Sequence, residues 1–223
     1  MTMVLNARVS VAALLRVHTA DGARLILVNT GKEQFEPLGG ALTYLPDAAG
    51  LLDELGWRAE RSPDPAGRVD LRGVLPLHSL PVLFAWLGTG HGRERAEHGL
   101  RRELGEELAA AVDTDLAQLI AAATFAPVRT VVEKLAAPAL DRPCWQTRWF
   151  EIFGFGAADP LQDYLAALAE DPSVPGVCGA SWLDISRGRV GSTKIAPQTC
   201  HLSTAATAMP GVPVIPSRQM SRR

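Results

Sequence analysis

The sequence lacks the features that mark several protein classes. It has only three cysteines, Cys144, Cys178 and Cys200, and they form no Cys-x-x-Cys pair. Their number and spacing argue against a zinc knuckle or a disulfide framework and favour a reducing, cytoplasmic compartment. No stretch approaches the ~18 uninterrupted apolar residues that a membrane span needs, so none is predicted.

Excess charge of one sign and internal repeats are also missing. The formal net charge is −2, so no global basic field attracts nucleic acid or an anionic membrane. The first apolar run is bracketed by Arg8 and Arg16 and no small-residue cleavage site follows, which argues against a signal peptide. What is present is the composition of a globular protein, and 223 residues suit one domain.

Hydrophobic patterning along the chain predicts an α/β fold. The runs RVSVAALLRV and ARLILV flank the turn sequence HTADG and predict a β-hairpin. FEPLGGALTY predicts a strand with a bulge at Gly39-Gly40. Helix-like and strand-like segments then alternate, which indicates a sheet covered by helices. We expect residues 203–223, rich in proline and small residues, to form a loosely ordered tail.

The segment GTGHGRERAEHGLRRELGEELAA, residues 88–110, crowds acidic and basic side chains together. A helix over roughly Glu94 to Val112 gives an apolar stripe of Leu100, Leu104, Leu108 and Ala111. The same helix places Glu103, Glu106 and Glu107 on a shared face, where like charges repel unless something neutralises them. Two interpretations follow: a solvated face neutralised by arginines, or a site for hard Mg²⁺ or Mn²⁺.

A longer sequence pattern around this helix helps to choose between a solvated face and a metal site. It comprises Gly88-x5-Glu94-x7-Arg102-Glu103-Leu104-x-Glu106-Glu107. This string resembles the Nudix box, the signature of hydrolases that cleave nucleoside diphosphates linked to another moiety. The resemblance implies a Nudix-like α/β/α sandwich with a mixed sheet. It also implies Mg²⁺ or Mn²⁺ as cofactor, held by Glu106 and Glu107, with Glu103 as a ligand or general base. Arg102 would orient the glutamates and Glu94 would support that network.

The sequence departs from the family pattern at two places. Ala109 and Ala110 replace the usual glycine and aliphatic residue, so we expect the helix to continue to about Val112. Gly88 fits the spacing of the box, but Gly39-Gly40 fits its usual strand-end context. We therefore expect Gly40 to help bind metal and Gly39 to lie at the substrate. Residues from about 44 to 88 would then be an insertion, looped out before the catalytic helix of a domain covering 1–202.

The sequence of that insertion makes the resemblance more specific, because it points to one Nudix subfamily. VDLRGVLPLHSLPVLFAWLGTGHGRE before RRELGEEL is similar to the SMODS-associated Nudix domains, which are associated by genomic context with nucleotide-second-messenger conflict systems. The resemblance implies a metal-dependent hydrolase that cleaves a diphosphate bond in a nucleoside diphosphate derivative. The alternatives are a nucleotide-binding sensor without turnover and a purely structural protein. Many relatives dimerise, so a homodimer is compatible; neither nucleic acid nor a membrane is expected as a partner.

Substrate contacts are less constrained by the pattern. Base recognition needs aromatic stacking, for which the candidates are Phe35, Trp86, Trp145 and Trp149. Phosphate contacts can come from Arg129, Arg142 and Arg148. Some relatives take their general base from a later loop, where Glu133 and Glu151 are available. Core packing and surface exposure remain the alternatives for each of these side chains.

Overall fold

The computed structural model describes residues 5–203 apart from residues 30, 32, 109–113, 141–142 and 175, together with residues 214–215. Over this part the protein is an α/β domain in which mixed sheets are accompanied by several helices, as predicted. No described helix has the length and apolarity that crossing a bilayer requires. The three cysteines are free thiols.

The elements are numbered in chain order. The strands are β1 (Asn6–Leu15), β2 (Leu25–Val28), β3 (Gln34–Pro37), β4 (Gly39–Ala41), β5 (Thr43–Tyr44), β6 (Arg58–Ala59), β7 (Val69–Asp70), β8 (Arg72–Pro76), β9 (Phe125–Val132), β10 (Trp145–Phe155), β11 (Val177–Ala180), β12 (Arg189–Val190), β13 (Thr193–Ile195) and β14 (Val214–Ile215). The helices are α1 (Ala49–Glu54), α2 (Leu80–Thr89), α3 (Ala96–Glu107), α4 (Thr114–Ala122), α5 (Pro160–Glu170) and α6 (Trp182–Arg187). Short 3₁₀ turns cover Pro46–Ala48, Leu77–Ser79 and Pro197–Leu202.

The larger sheet is organised around β1. Its order is β14-β9-β10-β1-β8-β6, and β4 also pairs with β1. β1 and β10 run parallel, from Ala7 opposite Trp145 to Leu15 opposite Phe153, whereas β4 and β8 run antiparallel to β1. A parallel pair needs a long crossover, which the intervening chain supplies. The almost continuous burial of β1 follows from this central position.

The predicted hairpin forms only beside its turn, where His18 and Leu25 make an antiparallel bridge and the Ile26 N–H donates to the Val17 carbonyl at 2.9 Å, whereas β1 and β2 belong to different sheets. The turn does form, because the Thr19 N–H donates to the Arg24 carbonyl at 3.0 Å and Gly22 adopts φ +69°. Beyond the turn, however, β2 enters a second sheet of order β11-β2-β3-β13-β12. Since β1 already pairs with β10 on one side and with β8 and β4 on the other, no place beside it remains for β2.

The stretch predicted as one bulged strand is divided into β3, β4 and β5. Gly39 adopts φ +113°, a conformation that side-chain-bearing residues rarely adopt, and this redirects the chain after the buried Leu38. β3 pairs with β2, whereas β4 pairs with β1 in the other sheet. The glycine pair therefore lies where the chain passes between the two sheets.

The segment expected to loop out is part of the main sheet and core, so that expectation is wrong. β8 pairs antiparallel with β1, and β6 continues the sheet beyond it. Leu71, Leu75, Leu83 and Leu87 are fully buried. The segment also contains helices α1 and α2, and α2 is followed by Gly90 in the left-handed conformation. The apolar side chains of this segment explain why it packs inward rather than looping out.

Helix α3 confirms the predicted apolar stripe. Leu100, Leu104 and Leu108 are buried, and the helix packs against β4 and β1. It begins at Ala96 rather than Glu94 and ends at Glu107, while Ala111 and the predicted extension to Val112 lie outside the described residues. Of the predicted tail, Ser203 and β14 are described, and β14 pairs antiparallel with β9. The rest of the tail lies outside the described residues.

Candidate active site

The two glycines of the β3–β4 junction lie against helix α3. The Gly39 N–H donates a hydrogen bond to Glu107 Oε2 at 3.0 Å. A Cβ added to Gly40 would overlap the Glu103 carboxylate, so only glycine lets the two approach this closely. Gly88, by contrast, lies in α2 with open space around it. The predicted placement of Gly39-Gly40 beside the glutamate helix is confirmed.

Arg102 forms the centre of a buried ion-pair network. Its Nε and Nη2 donate to the two Glu94 oxygens at 3.1 and 3.0 Å, and its Nη1 donates to Glu103 Oε1 at 2.6 Å. Nη2 also donates to the Ala41 carbonyl at 2.8 Å. Burial opposes the charge of Arg102, but the contacts with Glu94 and Glu103 outweigh it and raise the arginine pKa. The guanidinium therefore stays charged and fixes both carboxylates.

The remaining contacts of Glu94 tie this network to the sheet. The Thr43 N–H and hydroxyl donate to Glu94 Oε2 at 3.2 and 3.3 Å, and the Glu94 N–H donates to the Thr43 carbonyl at 2.8 Å. Only 12% of the Glu94 side chain is exposed. Glu94 therefore fixes Arg102 from the side away from solvent, in line with the supporting role that the resemblance implied.

Glu103 and Glu106 differ in environment although both belong to α3. Glu103 is largely buried, and desolvation raises its pKa while the charge of Arg102 opposes that shift. Glu106 is 57% exposed, with its Oε1 at 3.6 Å from Arg102 Nη1. One carboxylate is thus positioned by the protein, and the other extends towards solvent.

These carboxylates line a cleft of about 330 Å³. One wall is formed by α3 and the glycines, the opposite wall by β10 and the 3₁₀ turn Pro197–Leu202, and the floor by β1. The lining residues are Ser10, Ala12, Leu14, Glu36, Pro37, Gly39, Gly40, Arg72, Glu103, Glu106, Glu107, Arg148, Phe150 and Gln198. Acidic groups on one side and an arginine on the other suit a phosphate-containing ligand that binds together with a cation.

The carboxylate oxygens have the donor chemistry that Mg²⁺ and Mn²⁺ prefer. Among the described residues, however, no three acidic, histidine or cysteine side chains converge as a ready-made metal site. The contacts above give the reason: Glu103 turns towards Arg102, Glu107 accepts from Gly39, and Glu106 extends outward. By its chemistry, the set of carboxylate oxygens fits a hard cation.

The opposite wall has its own charge network. Arg148 donates from Nε and Nη2 to the two Glu133 oxygens, and from Nη1 to Gln198 Oε1 at 3.2 Å. Its guanidinium carbon lies 5.3 Å from the centre of the Phe150 ring. His201 Nε2 lies 2.9 Å from Glu133 Oε1. The guanidinium that faces the cleft is therefore held from behind by a buried acid–base pair.

The pKa values of that pair shift in opposite directions. For Glu133, burial favours the neutral acid, but hydrogen bonds from His201 and Arg148 outweigh it and lower the pKa. For His201, burial favours the neutral ring, but contacts with Cys200 and Glu133 raise the pKa to about 9. Both groups are therefore charged around neutral pH.

Several candidate substrate residues lie away from the cleft. Phe35 and Trp145 do not line it, although they were expected to contact substrate. Trp86 and Trp149 are buried in the larger core cluster. Alternation along β10 explains the difference, because Arg148 and Phe150 face the cleft while Trp149 between them points to the opposite face of the sheet.

The remaining charged candidates have structural partners. Arg129 donates to the carbonyls of His201 and Ser203, and Arg142 lies outside the described residues. Glu133 pairs with Arg148, and Glu151 pairs with Arg93 and accepts from the Trp149 indole N–H at 3.2 Å. Neither glutamate lines the cleft, so neither has the access that a general base needs.

Sequence reasoning missed some of the cleft-lining residues. These are Ser10, Glu36, Arg72, Phe150 and Gln198. One signal was available for Phe150, since it follows Arg148 by two positions in a predicted strand and must share its face. Glu36 lies in β3, just before the two glycines, and Arg72 lies in β8, within the segment predicted to be an insertion. No local sequence pattern distinguishes these two residues from surface charges.

The fold and the cleft define an α/β domain whose glutamate helix lies against a glycine-containing strand junction. The chain belongs to the family described as the SMODS-associated NUDIX domain, whose model matches residues 6–203. Comparison with curated proteins and with solved structures gives no match. The family assignment indicates a hydrolase of the Nudix type that acts on nucleoside diphosphate derivatives.

Proposed function

We propose that the protein is a metal-dependent hydrolase that cleaves a diphosphate bond in a nucleoside diphosphate derivative, in the context of nucleotide signalling or defence. One observation carries the proposal. The family's glutamate helix and the Arg148–Phe150 pair face each other across a single cleft. The negative charge of a diphosphate is neutralised best between a cation-binding wall and a wall that carries an arginine.

The cofactor would be Mg²⁺ or Mn²⁺, held by Glu106, Glu107 and the Gly40 backbone, with Glu103 as a further ligand or as the general base, and it would neutralise phosphate charge and activate water. Arg102 donates to the Glu103 carboxylate and fixes it on the cleft wall. Close packing of Gly40 against Glu103 limits where that carboxylate can lie. Positioning of this kind is a large part of the catalysis of phosphoryl transfer.

Substrate binding is assigned to the wall opposite the helix. Arg148 provides a guanidinium for a phosphate, and Glu133 and Gln198 hold it in place. Phe150 packs beside that guanidinium and is only 3% exposed, so its ring supports Arg148 rather than stacking on a nucleobase. Arg72 supplies a second cation on the helix side of the cleft, so the phosphates would be contacted from both sides.

Glu103 is the best-placed proton acceptor for the attacking water. Its carboxylate lines the cleft, and burial raises its pKa, which favours proton uptake. Glu103→Gln should therefore abolish turnover while retaining Mn²⁺ binding measured by calorimetry. Loss of both together would assign Glu103 a ligand role alone.

The decisive experiment is a substrate panel with Mg²⁺ and Mn²⁺ in which both products are identified. Wild-type protein should release a nucleoside monophosphate from at least one nucleoside diphosphate derivative, and Glu106→Gln should remove that activity. Glu97→Gln provides a matched control, because Glu97 belongs to the same helix but does not line the cleft. Equal turnover in wild-type protein and Glu106→Gln would refute the proposal.

A nucleotide-binding sensor without turnover is the second candidate. It is favoured by the carboxylates, which are engaged by Arg102 and Gly39 rather than converging on one point. Tight calorimetric binding of a nucleotide, with no product formed at saturating metal concentration, would establish the sensor in place of the hydrolase.

A further inference from the structure

A second cleft adjoins the one described above. It encloses about 370 Å³ and shares Arg72, Glu103 and Glu106 with the first cleft. Its other lining residues are Ala41, Thr43, Arg61, Ser62, Asp64, Arg68, Asp70 and Arg102. Most of these belong to the segment between β6 and β8, which is the part of the chain predicted to be an insertion. The shared carboxylates therefore separate two compartments.

Arg68 is oriented into this second cleft by the turn that precedes it. Asp64 accepts the backbone N–H groups of Ala66 and Arg68 at 2.9 and 2.8 Å, and its Oδ2 accepts from Arg68 Nε at 2.7 Å. The other end of the guanidinium, Nη2, lies 4.0 Å from Glu106 Oε1. One edge of Arg68 is thus fixed by the turn, and the other faces the shared carboxylates.

Arg61 and Arg72 are the other cations that this segment contributes. Both approach the same carboxylate oxygen, Asp70 Oδ2, from Nη1 at 3.9 and 3.7 Å respectively. These distances exceed those of hydrogen bonds, and one carboxylate cannot neutralise two guanidiniums. Counting Arg68 and Asp64 as well, the segment brings three positive and two negative side chains to the cleft; Arg102, Glu103 and Glu106 complete its charged lining with one positive and two negative side chains.

We propose that Arg61 and Arg68 form a second anion-binding subsite, which receives a phosphate of the substrate half that lies beyond the scissile diphosphate. The inference rests on the proposed function and narrows its substrate class. The nucleoside occupies the first cleft, on the side of Arg148, and the scissile diphosphate lies at Glu103 and Glu106. The leaving half then extends towards Arg61 and Arg68, whose N–H groups bind phosphate oxygens. Substrates with further phosphates in that half are therefore favoured over those that end in an uncharged sugar.

The test uses Arg61→Ala/Arg68→Ala in the full chain, with two readouts. Calorimetry with inorganic triphosphate should show binding about tenfold weaker than in the wild type, because two charged donors are lost. Turnover of diadenosine tetraphosphate and of ADP-ribose should show a KM ratio that shifts about tenfold against the tetraphosphate. Arg187→Ala removes an arginine from α6, away from both clefts, and should change neither readout. Thermal melts establish that each variant is folded.

The possible results distinguish failure of the proposed subsite from failure of the proposed hydrolase activity. Unchanged triphosphate affinity and an unchanged KM ratio in the double variant would overturn the subsite, while Glu106-dependent turnover would leave the proposed hydrolase intact. If the wild type hydrolyses nothing but binds triphosphate through Arg61 and Arg68, the hydrolase fails and the subsite stands. Loss of triphosphate binding in Arg187→Ala as well would show that the effect is general surface charge, and would also overturn the subsite.

Discussion

In each wall of the cleft, the charged side chain that faces the ligand is held by a residue of opposite charge, and the two walls have these charges reversed. On the helix wall, the buried cation Arg102 holds the carboxylate of Glu103. On the β10 wall, the buried carboxylate of Glu133 holds the guanidinium of Arg148. Each wall therefore presents one charge to the cleft and keeps its counter-charge behind it, so that metal-binding and phosphate-binding groups face each other.

The walls also differ in how the chain assembles them. The residues that form the helix network, Glu94 to Glu107, lie within fourteen positions of one another. The opposite network brings together Glu133, Arg148, Gln198 and His201 from separate elements. A network built within one helix and its approach leaves a local sequence pattern, whereas one built across strands and a turn does not.

The largest effect should come from removing the buried cation of the helix wall. Arg102→Ala removes the cation that neutralises Glu94 and Glu103, whose side chains are only 12% and 17% exposed, and leaves Glu94 with its hydrogen bonds from Thr43. We expect a loss of about 3 kcal/mol in the free energy of unfolding, measured by urea denaturation. Arg95→Ala is the control, because its side chain is 73% exposed and lies 3.9 Å from Glu97. Its change should be close to zero. A similar loss in both variants would contradict the assigned role of Arg102.

Gly40→Ala tests whether the position of Glu103 on the helix wall matters, because it changes the local geometry without changing any charge. The new Cβ overlaps the Glu103 carboxylate, which must move away while Arg102 still holds it. We expect turnover to fall about 100-fold while the melting temperature changes little, because the displaced group is the end of a flexible side chain. Gly88→Ala is the matched control, with open space around it. Equal activity of the two variants would mean that the glycine contact does not position Glu103.

On the β10 wall, Glu133→Gln should act on substrate binding. Gln cannot form the bidentate salt bridge that Glu133 forms with Arg148, so the guanidinium loses its fixed orientation. We expect KM to rise about tenfold with a smaller change in kcat, since Arg148 is assigned to ground-state phosphate binding. Glu60→Gln disrupts a similar contact with Arg8 outside both clefts and serves as the control. A fall in kcat alone would contradict this assignment.

The smallest expected effect is on the pH dependence of stability. The pKa of His201 is raised from 6.5 to about 9 in the folded protein, so protonation favours folding. This stabilisation is complete below pH 6.5 and is lost as the pH rises through about 9. Between about pH 6.5 and 8, the free energy of unfolding should fall by on the order of 1 kcal/mol more in the wild type than in His201→Gln. Parallel pH profiles from urea denaturation would exclude a charged His201.

The sequence determined the α/β class, the glutamate helix with its leucine stripe, and the placement of Gly39-Gly40 beside that helix. Helical spacing puts Glu103, Glu106 and Glu107 on one face whatever surrounds them, because that geometry is local. Tertiary structure alone decided that the supposed insertion forms one edge of the main sheet, that β1 and β2 enter different sheets, and that Phe150 rather than Trp149 faces the cleft. Strand partners and strand faces depend on which apolar surfaces can be buried together across the chain, and no single segment contains that information.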